Sequence, residues 1–189
     1  MSDYCTRLII PGLQGSAEGH WQTWWQAKDR NAIRVEQDDW QTPDLNAWSK
    51  KVRQAIDEAQ AGVWLVAHSY GCIASLQVAP QCPERIRGLF LVAPADPDKF
   101  SASHLWQQTD LPFPSVIVAS RTDPWLGFEK AKSWADSLGS QLVDLGDAGH
   151  INVESGFGEW QQGFDLFGRF RREVAVICLI GSLTQQSSS

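Results

Sequence analysis

Residues 65–75, LVAHSYGCIAS, place a serine between an apolar run and a run of small and apolar residues. A hydroxyl at the end of a buried strand costs free energy unless it finds a partner, so Ser69 needs a structural reason for its position. A nucleophile elbow supplies one, because there a strand turns sharply into a helix and holds a serine at the apex on a strained backbone. The residues two positions before and after the serine crowd each other in this turn. Ala67 and Gly71 are small enough, and the stretch AHSYG departs from the usual G-x-S-x-G by one methyl group.

The composition is that of an ordinary globular protein, with 43% hydrophobic and 20% charged residues in a chain of 189, enough for one domain with its own core. The formal net charge of −6 argues against a nucleic-acid partner, which would require a basic face. The four cysteines, at positions 5, 72, 82 and 178, form no C-x-x-C pair and have no metal-ligand spacing. Because no signal peptide precedes them, we expect a cytoplasmic protein with reduced thiols, no metal and no cofactor. No apolar run reaches 18 residues, so we expect no membrane partner.

Apolar runs of strand length alternate with amphipathic stretches of helix length along most of the chain. Runs of Val, Ile and Leu that are apolar on both faces and separated by helices are typical of a parallel sheet buried on both sides. The sequence therefore predicts an α/β fold with a mostly parallel sheet and helices on both faces, and a ligand site at the carboxyl ends of the strands. The predicted strands are residues 7–10, 32–35, 62–67, 86–92, 115–119 and 141–145. The predicted helices are residues 20–28, 45–61, 70–79, 129–138 and 158–172.

An acid and a histidine follow later strands in the order that a serine nucleophile at an elbow requires. Ser69 ends the third predicted strand, Asp123 follows the fifth and His150 follows the sixth. A serine hydroxyl is a weak nucleophile at neutral pH, so a histidine must take its proton while a carboxylate fixes the imidazole tautomer and orientation. The order along the chain therefore predicts Ser69, Asp123 and His150 as catalytic residues.

Three residues leave alternatives open at this point. Asp96 also follows a strand and competes with Asp123 for the role of the acid. Cys72 opens a predicted helix, where a thiol can be activated, although a small buried core residue is the simpler interpretation. Ser69 itself could serve only as the cap of that helix.

Five segments carry a family resemblance that goes beyond the elbow. They are PGLQGSAEGHWQTWW (11–25), AHSYGC (67–72), LVAPADPDKF (91–100), SRTDPW (120–125) and DAGHINVESGFGEW (147–160). Together they resemble the small serine hydrolases related to retinoblastoma-binding protein nine and the YdeN proteins, within the α/β-hydrolase superfamily. The resemblance covers about residues 6–172. It implies a compact α/β-hydrolase fold without a large cap domain, and a Ser–Asp–His triad that falls on Ser69, Asp123 and His150.

The backbone around the proposed nucleophile is expected to supply an oxyanion hole. The tetrahedral intermediate of acyl transfer needs two hydrogen-bond donors aimed at its oxygen. The first should be the N–H of Tyr70, directly after the nucleophile. The second should come from the loop 11–16, whose glycines allow close approach of the backbone. By position we assign this donor to Leu13, with Gln14 as second choice.

Ten tryptophans are a high number for this length, and most of them should lie in the core. Trp24, Trp48, Trp64 and Trp134 occupy helix or strand positions that should face inward. Trp125 follows the proposed acid and is expected to bind substrate, together with Trp106 and His68. The connection 96–114, which contains Trp106 and Phe100, is the only one long enough for a small lid. A short lid indicates a shallow site for a modest acyl group.

The sequence thus predicts a serine hydrolase of the carboxylesterase type, which cleaves a small ester-type substrate through an acyl-enzyme. Two alternatives from other classes stay open because a fold does not dictate a function. One is a catalytically weak protein-interaction module on a hydrolase scaffold. The other is a thioesterase or amidase on the same fold.

The end of the chain is expected to lie outside the catalytic domain. We assign residues 1–173 to a single hydrolase domain, and residues 174–189 to an apolar extension with a polar tail. The run 174–183, VAVICLIGSL, carries no charge and would be an aggregation hazard if left exposed. It should therefore be covered by its own domain or by a second copy of the chain, so a homo-oligomer through this segment is one expectation.

Overall fold

The computed structural model describes residues 5–186, of which residues 181–186 are described by their backbone alone. Six strands form one sheet in the order β2-β1-β3-β4-β5-β6, and every neighbouring pair is parallel. The predicted parallel sheet is therefore confirmed, with all six strands where the apolar runs indicate them. The strands are β1 (Thr6–Ile10), β2 (Ala32–Arg34), β3 (Val63–His68), β4 (Ile86–Val92), β5 (Ser115–Ala119) and β6 (Gln141–Asp144).

Helices cover both faces of the sheet. Successive side chains of a strand point to opposite faces, so each face carries apolar side chains that a helix must bury. Leu8 belongs to a core cluster with side chains of three helices, whereas its neighbour Ile9 does not. On the other face, the ring of Trp25 lies 6.0 Å from that of Phe90, centroid to centroid. The three helices of the core cluster are α2 (Leu45–Glu58), α3 (Tyr70–Val78) and α4 (Phe128–Leu138), and the helix that carries Trp25 is α1 (Trp21–Lys28).

The tryptophans follow the prediction with one exception. Trp48, Trp64 and Trp134 are buried, but Trp24 is only half-buried, and the Lys28 ammonium lies 4.2 Å from the centre of its ring. In α1 it is Trp21 and Trp25 that are buried, at 0% and 1% exposure. These two are four residues apart and so share one helix face, which turns Trp24 toward the surface.

A second compact unit begins at residue 160 and is treated separately from the first. It consists of the helix α5 (Gln161–Gln186), which continues through the predicted domain boundary at residue 173. That boundary lies where the family resemblance ends and the charged residues 169–173 change to the apolar run. Such a change is not a stop signal, and no proline interrupts the segment. Residues 187–189 of the predicted polar tail lie outside the described residues. The apolar side chains of Val176, Ile177, Leu179 and Ile180 are exposed.

The connection from β4 to β5, residues 93–114, contains the segment 96–114 that the sequence analysis expects to act as a small lid. Its regular structure consists of the short 3₁₀ helices Pro97–Phe100 and Ser103–Gln107. No large cap domain exists in the part of the chain that the structure describes. Among the described residues, no helix combines the length and the apolar character needed to cross a membrane.

Candidate active site

The turn between β3 and α3 has the backbone of a nucleophile elbow. Ser69 has φ 53° and ψ −120°, a region that non-glycine residues rarely adopt and that costs about 1–3 kcal/mol. The surrounding sheet holds this conformation, because the Ser69 N–H donates to the carbonyl of Val92 at 3.1 Å. A Cβ atom at residue 71 would lie 2.4 Å from the carbonyl oxygen of Ile10, so only glycine fits there. The sequence places Ser69 at this apex because its neighbours are small.

The side chains of Ser69, His150 and Asp123 form one hydrogen-bonded chain. The distance from His150 Nε2 to Ser69 Oγ is 2.8 Å, and His150 Nδ1 lies 2.9 Å and 3.1 Å from the two carboxylate oxygens of Asp123. A carboxylate only accepts, so the proton of the neutral imidazole sits on Nδ1. The lone pair of Nε2 is then free to take the proton of the serine hydroxyl. The structure brings together the three residues that the sequence order selects.

Two hydroxyl groups connect the loops that carry the acid and the histidine. The Oγ of Ser120 accepts the N–H of Ala148 at 3.0 Å, and the Oγ1 of Thr122 accepts the N–H of Gly149 at 3.0 Å. These bonds fix the loop after β5 against the loop after β6, and thereby the distance between the carboxylate and the imidazole. The sequence reasoning missed both hydroxyl groups, although they lie within the segments that carry the family resemblance.

The backbone of the histidine loop is anchored by two aromatic N–H groups. His68 donates from Nε2 to the carbonyl of His150 at 2.9 Å, and Trp21 donates from Nε1 to the carbonyl of Ile151 at 2.9 Å. Ile151 has φ 49°, which is strained for a β-branched residue. The two donors hold this strained turn and so orient the imidazole of His150. His68 thus has a positioning contact in addition to the predicted place in the pocket wall.

Two further histidines beside the site are kept neutral by burial. Desolvation, with a contribution from the nearby Arg34 charge, lowers the pKa of His20 to about 4. Desolvation also lowers the pKa of His68 well below its ordinary value, and the neighbouring imidazole of His150 adds to this effect. At neutral pH both side chains therefore act as uncharged hydrogen-bonding groups.

The low pKa of His20 predicts that the protein loses stability as the pH falls. The unfolded chain, with a pKa of 6.5 at this residue, takes up a proton between pH 6.5 and about 4 that the folded protein resists. Stability is therefore complete above pH 6.5 and declines below it, by about 2 kcal/mol at pH 5 from this residue alone. Urea unfolding at pH 7.5 and pH 5 measures the loss. The loss should shrink by about this amount in His20→Asn but not in His104→Asn, which changes an exposed histidine. Equal losses in the two variants would contradict the assignment.

Leu13 and Gln14, the two candidates for the second oxyanion donor, differ in whether their backbone N–H is already bonded. The N–H of Gln14 is occupied, since it donates to the carbonyl of Trp40 at 2.8 Å. The N–H of Leu13 has no partner in the described part of the chain, and that of Tyr70, at the first position of α3, has none within its helix. Gly12 lets this loop approach, because a Cβ atom there would lie 2.8 Å from the Cβ of Ser69. Leu13 and Tyr70 are therefore the available donors.

The side chain of Gln22 connects the loop 11–16 to the sheet through hydrogen bonds. It is fully buried, and its Nε2 donates to the carbonyls of Ile10 and Val66, each at 3.2 Å. Its Oε1 accepts the hydroxyl of Ser16 at 2.5 Å. One amide thus links the neighbouring strands β1 and β3 to the loop that carries Leu13. The sequence analysis did not single out this glutamine.

An open cavity of about 490 Å³ lies over Ser69. Trp125 forms part of its wall with 44% of its surface exposed, and its ring centre lies 6.3 Å from that of Phe100 and 6.1 Å from that of His150. The Trp125 N–H donates to Asp123 at 2.9 Å, which ties the wall to the acid. The lining residues are Leu13, Gln14, Gly15, Ala17, His20, His68, Ser69, Phe100, Trp125, His150, Asn152, Val153 and Glu154.

Most of the chain is similar in sequence to known serine hydrolases. Residues 7–169 match the family model described as serine hydrolase. The chain belongs to the serine hydrolase family. A protein of Pectobacterium atrosepticum described as a YdeN-like hydrolase is 36% identical over 90% of this chain and 92% of its own, with a TM-score of 0.86. This similarity confirms the expected relation to the YdeN proteins.

More distant solved structures share the fold of this serine hydrolase. The ydeN gene product of B. subtilis is 22% identical over 88% of this chain and 98% of its own, with a TM-score of 0.73. Est1E from Butyrivibrio proteoclasticus is 14% identical over 91% of this chain and 89% of its own, with a TM-score of 0.68. These likenesses confirm the α/β-hydrolase fold. A search of curated proteins found no match.

One predicted binding residue of this serine hydrolase lies elsewhere. Trp106 is not part of the cavity wall described above, because its ring packs on Trp134 with the centroids 4.6 Å apart. Its indole N–H donates to the carboxylate of Asp98 at 2.8 Å. The prediction placed Trp106 in the substrate-binding wall, but its ring packs against α4 and its N–H is bonded to Asp98 within the same connection.

The alternative acid and the alternative nucleophile have other contacts. Asp96 accepts from the Lys130 ammonium at 2.7 Å and from the N–H of Asp98 at 3.0 Å, whereas the histidine contacts Asp123. Cys72 is completely buried, and this burial raises the pKa of its thiol well above the ordinary value. A thiol with a raised pKa is a poor nucleophile. Within the described part of the chain, no three His, Cys, Asp or Glu residues are grouped to bind a metal ion.

Proposed function

We propose that this serine hydrolase cleaves small ester-type substrates by acyl transfer, with Ser69 as the nucleophile, His150 as the general base and Asp123 as the orienting acid. The observation that carries the proposal is the position of His150, which bonds Ser69 through Nε2 and Asp123 through Nδ1. An imidazole held in this tautomer can take the serine proton, and the carboxylate stabilises the imidazolium that results.

In the first half of the reaction, Ser69 Oγ attacks the carbonyl carbon of the ester while its proton passes to His150 Nε2. The C=O electron pair moves onto the oxygen, which accepts hydrogen bonds from the N–H groups of Leu13 and Tyr70. Each donor of this kind contributes roughly 3–4 kcal/mol to transition-state stabilisation. When the C=O bond re-forms, the bond to the alkoxide breaks, and the leaving oxygen takes the proton from His150.

In the second half, a water molecule repeats the sequence on the acyl-enzyme. The water oxygen attacks the acyl carbon while His150 Nε2 accepts a proton from the water. The same two backbone N–H groups donate hydrogen bonds to the oxyanion that forms. Collapse of this intermediate breaks the bond to Ser69 Oγ, which regains the proton from His150. The products are a carboxylic acid and free enzyme, and no cofactor is required.

The shape of the cavity favours a carboxylesterase that takes small substrates. The cavity is open and of about 490 Å³, and its apolar wall contains Phe100, Trp125 and Val153. Trp125 and Val153 are two of the three large apolar side chains exposed in residues 5–159. Glu154 is the only Asp, Glu, Lys or Arg residue in this lining. An uncharged substrate with a short acyl chain fits this lining best.

Pre-steady-state hydrolysis of p-nitrophenyl acetate tests the proposal. We expect a burst of p-nitrophenolate equal to the concentration of active sites, because acylation of Ser69 releases the phenolate before water releases the acetyl group. The values of kcat/KM for matched esters, thioesters and anilides then show whether esterase activity exceeds thioesterase and amidase activity. The hydrogen-bonded Ser69–His150 pair disfavours an inert interaction module, and a protein without burst or turnover would support that alternative instead.

We also propose that the C-terminal part of α5 mediates association between copies of the chain. The exposed side chains of Val176, Ile177, Leu179 and Ile180 would lose contact with water in such an interface. Removal of all residues after Arg172 should therefore lower the mass of the assembly measured by light scattering. Ser69 should still react with a fluorophosphonate, a reagent that labels active serine hydrolases. An unchanged mass, or a folded truncated protein without reactivity at Ser69, would contradict this role.

A further inference from the structure

His20 lines the cavity above Ser69 with one nitrogen already committed and the other free. The residue is 5% exposed and forms the N-cap of α1, where its Nδ1 accepts the N–H of Gln22 at 3.1 Å. Nδ1 must be unprotonated to accept, so the neutral ring carries its proton on Nε2. This Nε2–H has no partner among the described residues. A buried side chain with a fixed tautomer therefore presents an unused donor in the wall of the cavity.

The neighbours of His20 fix its ring rather than occupy its donor. The His20 ring lies edge-on to the ring of His68, with the centroids 5.0 Å apart. His68 in turn uses its own Nε2–H for the carbonyl of His150. The cavity wall thus contains two neutral imidazoles, one with its donor used inside the protein and one with its donor available to a ligand.

The scissile ester group has no need of this donor. Its carbonyl oxygen is assigned to the N–H groups of Leu13 and Tyr70, and its leaving oxygen receives the proton of His150. An acceptor for His20 must then come from another part of the substrate. A substrate with only alkyl groups would cover this N–H without replacing its hydrogen bond to water, and the unpaired donor would weaken binding of that substrate.

We propose that His20 Nε2–H donates a hydrogen bond to an ether, hydroxyl or carbonyl oxygen of the substrate beyond the scissile ester group. The enzyme therefore favours uncharged esters that carry such an oxygen over alkyl esters of the same shape. The inference rests on the proposed function, because it concerns the substrate of the same site. A site built to donate to a substrate oxygen rejects the analogue that lacks it.

Two isosteric pairs of esters test the inference and locate the oxygen. p-Nitrophenyl methoxyacetate and p-nitrophenyl butanoate differ by one oxygen in the acyl part, and 2-methoxyethyl acetate and butyl acetate differ likewise in the alcohol part. For wild type, the ratio of kcat/KM between the oxygen-bearing and the alkyl member should exceed the ratio for alkaline hydrolysis by about threefold or more in one pair. The pair that shows the preference tells which side of the ester His20 faces.

The variant His20→Asn removes the donor and keeps the helix cap, because an asparagine oxygen can accept the N–H of Gln22. It should lower that kcat/KM ratio by about 3- to 10-fold, and intrinsic ester reactivity cancels in the comparison with wild type. His20→Gln, whose amide can reach the position of the imidazole Nε2, should restore part of the ratio. The matched control His104→Asn changes an exposed histidine that contacts Gln77 and should leave both ratios unchanged.

The outcomes separate a failure of this inference from a failure of the proposed function. If His20→Asn slows both members of each pair equally, His20 has a structural role only and the inference is wrong. Wild-type ratios equal to those of alkaline hydrolysis overturn it without any variant. A wild-type protein that reacts with a fluorophosphonate at Ser69 but cleaves none of the four esters overturns the substrate class alone. Absence of that reaction contradicts the proposed function itself.

Discussion

Ser69→Ala is expected to lower kcat for p-nitrophenyl acetate by about 10⁴-fold or more, because the hydroxyl that forms the acyl-enzyme is lost. The backbone should keep its conformation, since alanine has the same Cβ atom and the Val92 carbonyl still accepts the N–H of residue 69. The free energy of unfolding should therefore change little, and any change should be toward greater stability if the alanine relaxes the elbow. Steady-state hydrolysis and urea unfolding measure the two effects.

Ser75→Ala is the matched control for this substitution. Ser75 is a buried serine on α3 whose hydroxyl donates to the carbonyl of Gly71 at 2.8 Å, and it does not line the cavity. We expect this variant to lose about 1 kcal/mol of stability at most and to keep nearly all of its turnover. Substantial activity in Ser69→Ala, or a similar loss of activity in both variants, would refute the assignment of the nucleophile.

Asp123→Asn is expected to reduce kcat by about 10⁴-fold with little effect on the fold. The amide can donate to His150 Nδ1, which stabilises the tautomer with the proton on Nε2. That tautomer cannot accept the proton of Ser69, and the imidazolium loses its counter-charge. Measurement of kcat and KM separately should place nearly all of the effect in kcat.

The control for the acid is Asp96→Asn. The Asp96 carboxylate contacts the Lys130 ammonium at 2.7 Å, and that pair is partly exposed to solvent. Such a pair contributes modestly, so we expect a loss of turnover below about tenfold, through a looser lid rather than through the histidine. If Asp96→Asn proves the more damaging of the two substitutions, the acid follows β4 and the present assignment is wrong.

The sheet could be predicted from the sequence because its signals are local. The central strands β3, β4 and β5 are mostly apolar and rich in Val, Ile and Leu, which is typical of a parallel sheet buried on both faces. The same holds for Ser69, whose elbow depends on two small neighbours within four residues. The end of α5 could not be predicted in this way, because a change from charged to apolar residues does not stop a helix.

The supporting contacts of the site could not be predicted because they join distant segments. The bond from Trp21 to the carbonyl of Ile151 spans 130 residues, and the bond from His68 to the carbonyl of His150 spans 82. No local pattern encodes such a pair. The free donor of His20 is hidden for the same reason, since only the folded helix N-terminus commits its other nitrogen to Gln22.

The choice between backbone donors shows the same limit at short range. Leu13 and Gln14 are adjacent in a loop with glycines, and the sequence ranks them only by position. The folded chain separates them, because the carbonyl of Trp40 occupies the N–H of Gln14. Trp106 was wrongly assigned to the substrate-binding wall because the sequence does not show that its ring packs on Trp134, 28 residues further along the chain.

The most direct test of the account is to locate the adduct that a fluorophosphonate forms with the folded protein. Peptide mass spectrometry of the labelled wild type should find the phosphonyl group on Ser69, with a stoichiometry near one, and none after prior denaturation. Cys72→Ala should label in the same way, because that thiol is buried and its pKa is raised. An adduct on any other residue, or no adduct on the folded protein, would contradict the claim that His150 and Asp123 activate Ser69.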